Sequence, residues 1–131
     1  MKFVIIGETP AKKNSRIVLR NGRNIPSKRY SIWHTAAQAE LMSQKERGFV
    51  PIETPVIINL KFFHADKRRR DSDNGVSSIL DTLVDSGILK DDNWQIVRIL
   101  NVYNFFDRQN ARCEIDIKTI DVDGEKWMDS F

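Results

Sequence analysis

The stretch KRRRDSDNGVSSILDTLVDSGILKDD, residues 67–92, places four consecutive cations directly before two aspartates, Asp71 and Asp73. A short amphipathic segment follows, and a second acidic pair, Asp91 and Asp92, closes the stretch. Adjacent cations attract a polyanion, whereas isolated carboxylates repel one. Carboxylates beside such a run therefore indicate a divalent cation that the polyanion also contacts.

The segment between the two acidic pairs predicts a helix. Apolar residues recur there at spacings of three and four, at Val76, Ile79, Leu80, Leu83 and Val84. Asp73 and Asn74 are favourable capping residues at its start. Gly87 follows the last periodic position, where helices commonly end.

Two segments near the N-terminus predict strands. Residues 2–7, KFVIIG, form a short apolar run that is typical of a strand buried on both faces in the middle of a sheet. Residues 16–20 and 23–25 flank Asn21-Gly22, which is the preferred pair for a two-residue hairpin turn because both central positions need positive φ. A small hairpin is therefore expected.

The remaining pattern predicts a second helix and three more strands. Ser27 can cap a helix that runs to about Arg47, with an apolar side at Ile32, Trp33, Ala36, Ala37, Ala39 and Leu41. Residues 56–64 alternate as a strand and lead into residues 67–92. Residues 95–104 and 112–121 predict two final strands, and we expect them to be antiparallel because the second has one polar face.

Composition bounds the fold class. A chain of 131 residues, 40% hydrophobic and 30% charged, suits one compact domain with a modest core. We therefore predict an α+β fold, with a mixed or mostly antiparallel sheet and two main helices in a single small domain over residues 1–122. Residues 123–131 show no periodicity and predict a tail that is disordered or serves as a docking segment.

Composition also restricts the compartment. The longest apolar runs are about five residues, far below the ~20 of a membrane helix, and the N-terminus lacks the features of a signal peptide. The single cysteine, Cys113, excludes an internal disulfide framework and a cysteine-based zinc site. These observations predict a cytoplasmic protein that has no contact with a membrane.

The charges are distributed unevenly along the chain. Residues 1–70 contain 15 Lys or Arg and 5 Asp or Glu, a net charge of +10, whereas residues 71–131 contain 6 and 13, a net charge of −7. Between Lys12 and Arg29 there are seven cations and no acid. This pattern indicates a basic groove and arm for nucleic acid beside an acidic metal centre. Complementary charged faces within one fold, with a solvated hairpin, are the alternative interpretation.

The first aspartate pair predicts a metal site. In an extended segment, residues i and i+2 point to the same side, so Asp71 and Asp73 would share a hard cation such as Mg²⁺ or Mn²⁺. A site for phosphodiesters commonly needs another carboxylate, and Asp91 or Asp92 is the obvious supplier. A helix of about 12 residues carries the chain ~18 Å away. Five extended residues span ~16 Å, so the return is geometrically tight.

An Asp-x-Asp pair has other uses. It occurs in sugar-nucleotide transferases and phosphatases, and Asp73 alone could be a helix cap. The preceding cations and the second acidic pair favour the metal site. A calcium loop of the EF-hand type is disfavoured, because the twelfth residue counted from Asp71 is Thr82 and not Glu.

The segment RRRDSDN, followed by ILDTLVDSGILKDD, resembles the RusA-type Holliday junction resolvases, a family of crossover junction endodeoxyribonucleases common in bacteria and their phages. Residues 9–16 and the region of Tyr30 and Trp33 are also similar to the N-terminal half of that family. The resemblance implies a homodimeric, magnesium-dependent α+β endonuclease that cuts four-way DNA junctions in recombination and repair.

The resemblance also implies roles for individual residues. The essential acids would be Asp71, Asp73 and Asp92. From the residues themselves, we expect Asp91 to assist these acids and Asn74 to cap the helix or orient a ligand. We also expect branched DNA, and no small-molecule substrate, to be held by the cations Lys12, Lys13, Arg16, Lys67, Arg68, Arg69 and Arg70.

One position departs from the family's pattern. The family has a functional lysine four residues after the second acid, and here that residue is Ser77. Lys67, Arg70 or Lys90 would have to supply the missing cation. The alternative from another class is a non-catalytic DNA-binding protein of the same fold that lost this lysine, and a scaffold protein with a basic arm is a further alternative.

Overall fold

The computed structural model describes residues 1–11, 16–121 and 129. Along the chain it contains β1 (Lys2–Ile6), β2 (Arg16–Val18), β3 (Asn24–Pro26), α1 (Lys28–Gln44), β4 (Val56–His64), α2 (Ser72–Asp85), β5 (Val97–Phe106) and β6 (Arg112–Thr119). The α+β prediction is confirmed, with two helices and a four-stranded mixed sheet. Neither helix is long and apolar enough to cross a membrane within these residues.

The main sheet has the strand order β1-β6-β4-β5. β6 pairs antiparallel with β1 and with β4, whereas β5 pairs parallel with β4. The last two strands therefore run antiparallel to each other, as expected, but they are not neighbours, because β5 and β6 lie on opposite sides of β4. A helix between β4 and β5 returns the chain to the end of the sheet where β4 began, and this crossover makes the pair parallel.

Strand β1 lies at an edge of the sheet. The sequence predicted a position in the middle, and that prediction was wrong. Phe3 and Ile5 are buried, but the residues between and beside them face outward. Side chains of α1 cover the outer edge: Gln44 bonds both the N–H and the C=O of Val4 at 2.8 Å, and the Glu40 carboxylate accepts from the Ile6 N–H at 2.8 Å. The edge is thus closed by side-chain hydrogen bonds.

The core lies between the helices and one face of the main sheet. Ile58, Leu60, Ile115 and Ile117 of the central strands are almost fully buried there. Helix α1 contributes less than expected, since its buried residues are Tyr30, Ala37 and Leu41. Ile32, Ala36 and Ala39 are exposed, because a helix that covers an edge strand needs only a narrow apolar stripe.

The two helices are joined by a polar contact. His34 Nε2 of α1 lies 3.0 Å from Oδ2 of Asp85 on α2, and its Nδ1 lies 3.0 Å from the hydroxyl oxygen of Thr82. Thr82 donates its own proton to the Ser78 carbonyl at 2.7 Å, so its oxygen accepts from the imidazole. This contact fixes α2 against α1.

The caps agree with the sequence in part. Ser27 accepts from the Tyr30 N–H at 3.2 Å and begins α1, as predicted.

The hairpin of β2 and β3 also forms, but residues 19–23 make a five-residue loop in place of the expected two-residue turn. Leu19 N–H donates to the Arg23 carbonyl at 2.7 Å, and Gly22 takes φ +82° inside this loop. Gly22 therefore still supplies the positive φ on which the prediction depended.

Candidate functional site

A cavity of about 520 Å³ opens at the end of the sheet where β4 finishes and α2 begins. Its wall combines the segment after β1, the ends of β4 and β5, the cationic run and the start of α2. The residues are Glu8, Thr9, Pro10, Ala11, Arg29, Phe62, His64, Arg68, Arg69, Arg70, Asp71, Ser72, Asn74, Gly75 and Asn104. The fold thus brings the cationic run and Asp71 into one cavity.

His64, the last residue of β4, connects three parts of this wall. Its Nδ1 lies 2.9 and 3.0 Å from the two carboxylate oxygens of Glu8, and its Nε2 lies 2.9 Å from Oδ1 of Asn104. The Asn104 amide is oriented by its Nδ2, which donates to the Ser72 hydroxyl oxygen at 3.3 Å. Contacts at both ring nitrogens therefore fix the orientation of the imidazole.

The same network holds both neighbours of Asp71. Arg70 Nε lies 2.7 Å from Oε1 of Glu8, and Arg70 Nη2 lies 2.8 Å from Oδ1 of Asp66. On the other side of Asp71, the Ser72 hydroxyl is bound by the amide that His64 contacts. Asp71 is therefore positioned by contacts that run from the end of β1 through the ends of β4 and β5.

Asp66 folds the cationic run back on itself. Its carboxylate accepts from the Arg68 backbone N–H at 3.0 Å as well as from Arg70. These two donors lower the pKa of Asp66 below its ordinary value, so the carboxylate stays ionised at neutral pH. Arg68 and Arg69 remain exposed, although Arg68 Nε lies 3.6 Å from Oδ2 of Asp66, whereas Arg70 is held between two carboxylates. The exposed pair is the better placed to bind phosphate.

The start of α2 differs from the extended arrangement that was expected. Asp71 has an extended backbone (φ −84°, ψ 126°) as the N-cap, but Asp73 already lies in the first helical turn. Residues two apart in a helix do not face the same way. The prediction that an extended backbone points the Asp71 and Asp73 carboxylates to the same side was therefore wrong. Both carboxylates are exposed at the N-terminal end of α2, where the helix dipole favours negative charge.

Gly75 allows α2 to start close to β4. A Cβ atom at this position would lie 3.3 Å from Cε1 of Phe62, which is tighter than most carbon contacts. Any larger residue would have to displace a buried ring at the end of β4. The direct contact therefore sets the distance between the start of α2 and the sheet, and with it the position of Asp71.

Two buried oxygen atoms of the cavity wall lack a hydrogen-bond partner among the residues that the structure describes. They are Oδ1 of Asn74 and Oγ1 of Thr9. A buried polar atom without a partner costs about 1–3 kcal/mol, so such atoms indicate a place for a ligand or water. The Asp71 carboxylate lies in the same wall, and all three groups are hard oxygen donors of the kind that Mg²⁺ prefers.

The second acidic pair lies towards the other end of α2. Backbone hydrogen bonds tie the residues before it to the segment that precedes β4. Asp92 lies near Asp81 of α2, which follows Asp73 by eight residues, a rise of ~12 Å along the helix. In residues 1–11, 16–121 and 129, no three His, Cys, Asp or Glu side chains are arranged to hold a metal ion. The described chain therefore does not bring Asp92 to Asp71 and Asp73.

Asp92 has acidic neighbours instead. Partial burial, followed by the proximity of Asp91 and Asp81, raises the pKa of Asp92. Asp91 accepts from the Asp92 N–H at 2.7 Å and from the Asn93 side chain at 3.0 Å, and these bonds lower the pKa of Asp91. Asp92 is thus the member of the pair whose ionised form the fold disfavours.

Asp92→Asn is expected to raise the melting temperature at neutral pH by about 1–3 °C. Because the folded state raises the pKa of Asp92, its ionised form destabilises the fold, and the substitution removes that form. The gain should be complete above the folded pKa and disappear as the pH falls towards the ordinary value of 3.8. Thermal unfolding from acidic to neutral pH measures it.

Asp91→Asn is the matched control, with the opposite sign. The pKa of Asp91 is lowered, so its ionised form stabilises the fold and the amide should lower the melting temperature at neutral pH. Equal shifts of the melting temperature in the two variants would contradict the opposite pKa directions of Asp91 and Asp92.

The cations considered in place of the absent lysine lie apart from one another. Ser77 is exposed on α2. Lys90 Nζ lies 2.8 Å from Oε1 of Glu53, which raises the pKa of Lys90, and it belongs to the end of α2 that carries the second acidic pair. Lys67 Nζ lies 5.1 Å from the centre of the Phe106 ring. Of the candidates, Lys67 and Arg70 lie nearer to the cavity.

Part of the predicted basic arm lies outside the described residues. This applies to Lys12, Lys13 and the side chain of Arg16, as well as to the tail over residues 123–131 except residue 129. Arg29, from the same cationic segment, does line the cavity. The arm's contact with DNA therefore stays a prediction.

Sequence reasoning missed Glu8, His64, Asp66 and Asn104. Glu8 and Asn104 are 56 and 40 residues from His64 in sequence, and only the sheet brings them together. A signal existed for His64, because a histidine that ends an apolar strand directly before a cationic run is a candidate for the site.

Comparison with known families agrees with the geometry. A family model described as "Endodeoxyribonuclease RusA" matches residues 7–118. A search of curated proteins finds no match. The matched segment covers most of the chain and includes every residue of the cavity wall. The chain therefore belongs to the RusA endodeoxyribonuclease family.

Proposed function

We propose that this protein is a magnesium-dependent endonuclease that cuts four-way DNA junctions or related branched DNA. The observation that carries the proposal is the placement of Arg68, Arg69 and Asp71 in one cavity wall, in a chain of an endodeoxyribonuclease family. Exposed arginines attract phosphates, and the oxygen donors beside them suit a hard cation. Binding of the DNA backbone and metal-assisted cleavage would occur in the same place.

The residues of the proposed site divide into two roles. Arg68 and Arg69 would bind the phosphates that flank the scissile bond, and the arm would extend this contact through Lys12, Lys13 and Arg16. Asp71 would hold the metal ion with the amide oxygen of Asn74, and Asp73, from the first turn of α2, would complete the pair of acids. Bound Mg²⁺, or Mn²⁺ as the alternative, supplies an activated water and neutralises charge on the phosphate.

The third acid, Asp92, lies near Asp81 further along α2 and has to reach this pair. It does so either through movement of residues 91–93 when DNA binds or from the second subunit of a homodimer. A two-fold dimer suits the substrate, because a four-way junction presents two symmetric scissile phosphates. Sedimentation velocity at micromolar concentration measures whether the dimer forms.

A non-catalytic DNA-binding protein is the second candidate. Two observations favour it: Ser77 stands where the resemblance implies a lysine, and the acids are separated along α2. Such a protein would keep the exposed arginines and bind DNA in a salt-dependent way without cutting it.

A nicking assay separates the two candidates. A synthetic four-way junction is incubated with the protein in Mg²⁺ or in EDTA, and the strands are resolved on a denaturing gel. The proposal expects magnesium-dependent nicks at symmetric positions of opposite strands and none in a linear duplex of the same sequence. Binding without any nick would favour the second candidate.

Joint replacement of Arg68 and Arg69 by Ala is expected to weaken binding to linear and branched DNA alike. Each lost phosphate contact should flatten the slope of log affinity against log salt by ~0.9, because fewer counterions are released. Fluorescence anisotropy over a salt series measures the slope. Arg47→Ala, an exposed arginine in the segment after α1, is the control and should leave it unchanged. An unchanged slope in the double variant would show that these arginines do not contact phosphate.

A further inference from the structure

Aromatic side chains are exposed on both faces of the edge strand β5. Tyr103 and Phe105 lie on the face without helices and are each 45% exposed, and Phe106 lies on the opposite face and is 52% exposed. The Phe105 ring stacks on Phe63 of β4 at a centroid distance of 5.1 Å, and Tyr103 lies 6.5 Å from Phe105 with ring planes 9° apart. We call Tyr103, Phe105 and Phe106 the aromatic edge.

Cations accompany the aromatic edge. Lys67 lies over the Phe106 ring, and Lys61 pairs with Tyr103 across the strands. Aromatic rings that alternate with cations are typical of surfaces that bind unpaired nucleotides, since the rings stack on bases while the cations bind phosphates. Cores of protein interfaces, in contrast, are depleted in charged residues.

The aromatic edge continues directly into the candidate site. Asn104, which lies between Tyr103 and Phe105 in sequence, lines the cavity, and Lys67 begins the cationic run. On the face without helices, a second cavity of about 510 Å³ has Tyr103, Phe105 and Lys61 in its wall. Because Asn104 lines the site cavity and Lys67 begins the cationic run, a strand stacked on the aromatic edge would lead its backbone over β5 towards Lys67.

We propose that the aromatic edge stacks on unpaired bases at the branch point of the DNA substrate. This inference rests on the proposed function and explains how the enzyme would select branched DNA. In a linear duplex both faces of each base are already stacked, so exposed rings gain little unless a base leaves the helix, which costs a few kcal/mol. At a branch point bases are more easily unstacked, and the rings then bind them.

The test compares a four-way junction with a linear duplex of the same sequence, both carrying 2-aminopurine and both in EDTA, so that no cleavage occurs. Joint replacement of Phe105 and Phe106 by Ala is expected to weaken junction binding by roughly 5- to 150-fold per lost stacking contact and to leave duplex binding unchanged. The fluorescence change of 2-aminopurine at the branch point should be lost as well.

Matched variants keep the test specific. Joint replacement of the same residues by Trp should restore selective binding, because the larger rings still stack. Met42→Ala removes an apolar side chain of α1 that is 59% exposed and should change neither affinity. Circular dichroism is expected to show an unaltered fold, since the replaced rings are about half exposed.

Three results would overturn the inference: equal loss of junction and duplex binding, no loss of either, or loss of a dimer in sedimentation, which would assign the aromatic edge to a second copy of the chain. These results are distinct from failure of the proposed function. If the wild type cuts junctions and the alanine variant binds them normally, only this inference fails. If the wild type does not cut junctions, the proposed function fails.

Discussion

Asp73→Asn is expected to reduce magnesium-dependent cleavage of a four-way junction by at least about 100-fold while junction binding stays the same or becomes tighter. The substitution removes a metal-binding charge, and it also removes a negative charge beside the DNA phosphates. Single-turnover cleavage and anisotropy in EDTA measure the two effects separately. A loss of binding equal to the loss of cleavage would mean that the variant is misfolded or that Asp73 contacts DNA indirectly.

Asp85→Asn is the control for this prediction, because it makes the same change at the other end of the same helix. It weakens the contact of α2 with His34 and should lower stability slightly without affecting the rate of cleavage. Full cleavage by Asp73→Asn would remove this residue from the metal site.

A mixture of Asp73→Asn and Asp92→Asn subunits shows where the third acid comes from. If each site draws its acids from one chain, both sites of a mixed dimer are defective and the mixture stays inactive. If Asp92 acts across the dimer, one intact site forms per mixed dimer and one strand is nicked. The separation of these acids along α2 makes the experiment decisive.

Glu8→Gln is expected to slow cleavage at saturating DNA by about 100-fold with little change in junction affinity. The Glu8 carboxylate binds both His64 and Arg70, and these residues hold the chain on which Asp71 lies. An amide of the same size keeps the volume but loses the charge that binds the guanidinium. A displacement of about 1 Å in a catalytic group can cost 10²-fold in rate, because the reaction depends on the alignment of the reacting atoms.

A positioning role for Glu8 predicts a specific set of measurements. The single-turnover rate should fall while affinity in EDTA and the melting temperature stay close to those of Asp85→Asn, which also breaks a contact between a histidine and a carboxylate. Parallel losses of affinity, stability and rate would indicate that Glu8 only maintains the fold.

Local patterns predicted the elements of the fold because their causes are local. Apolar residues at helical spacing identified α2, and alternation identified β4. The capping hydroxyl of Ser27 identified the start of α1. Errors arose where the outcome depended on distant neighbours. KFVIIG is apolar enough for a central strand, yet Gln44 and Glu40, 40 and 34 residues away from the groups they bind, close its outer edge and make it a stable edge strand.

The candidate site was predictable in its charges but not in its geometry. The cationic run and the aspartates follow each other in sequence, so their proximity is a local fact. The position of Asp92 relative to α2 depends on the residues just before Asp92, which are held by the segment that precedes β4. No local sequence pattern contains that information. For the same reason the partners of His64 were missed, since the pairing of the sheet selects them.

The closure of β1 by α1 means that a helix takes the place of a fifth strand. Three hydrogen bonds that a neighbouring chain would otherwise form are supplied by one glutamine and one glutamate. A surface substitution on this helix would therefore expose the edge of the sheet. Loss of Gln44 would leave the backbone groups of Val4 free to pair with a strand from another chain. In this protein, resistance to self-assembly along β1 depends on two helical side chains that are remote from the cavity.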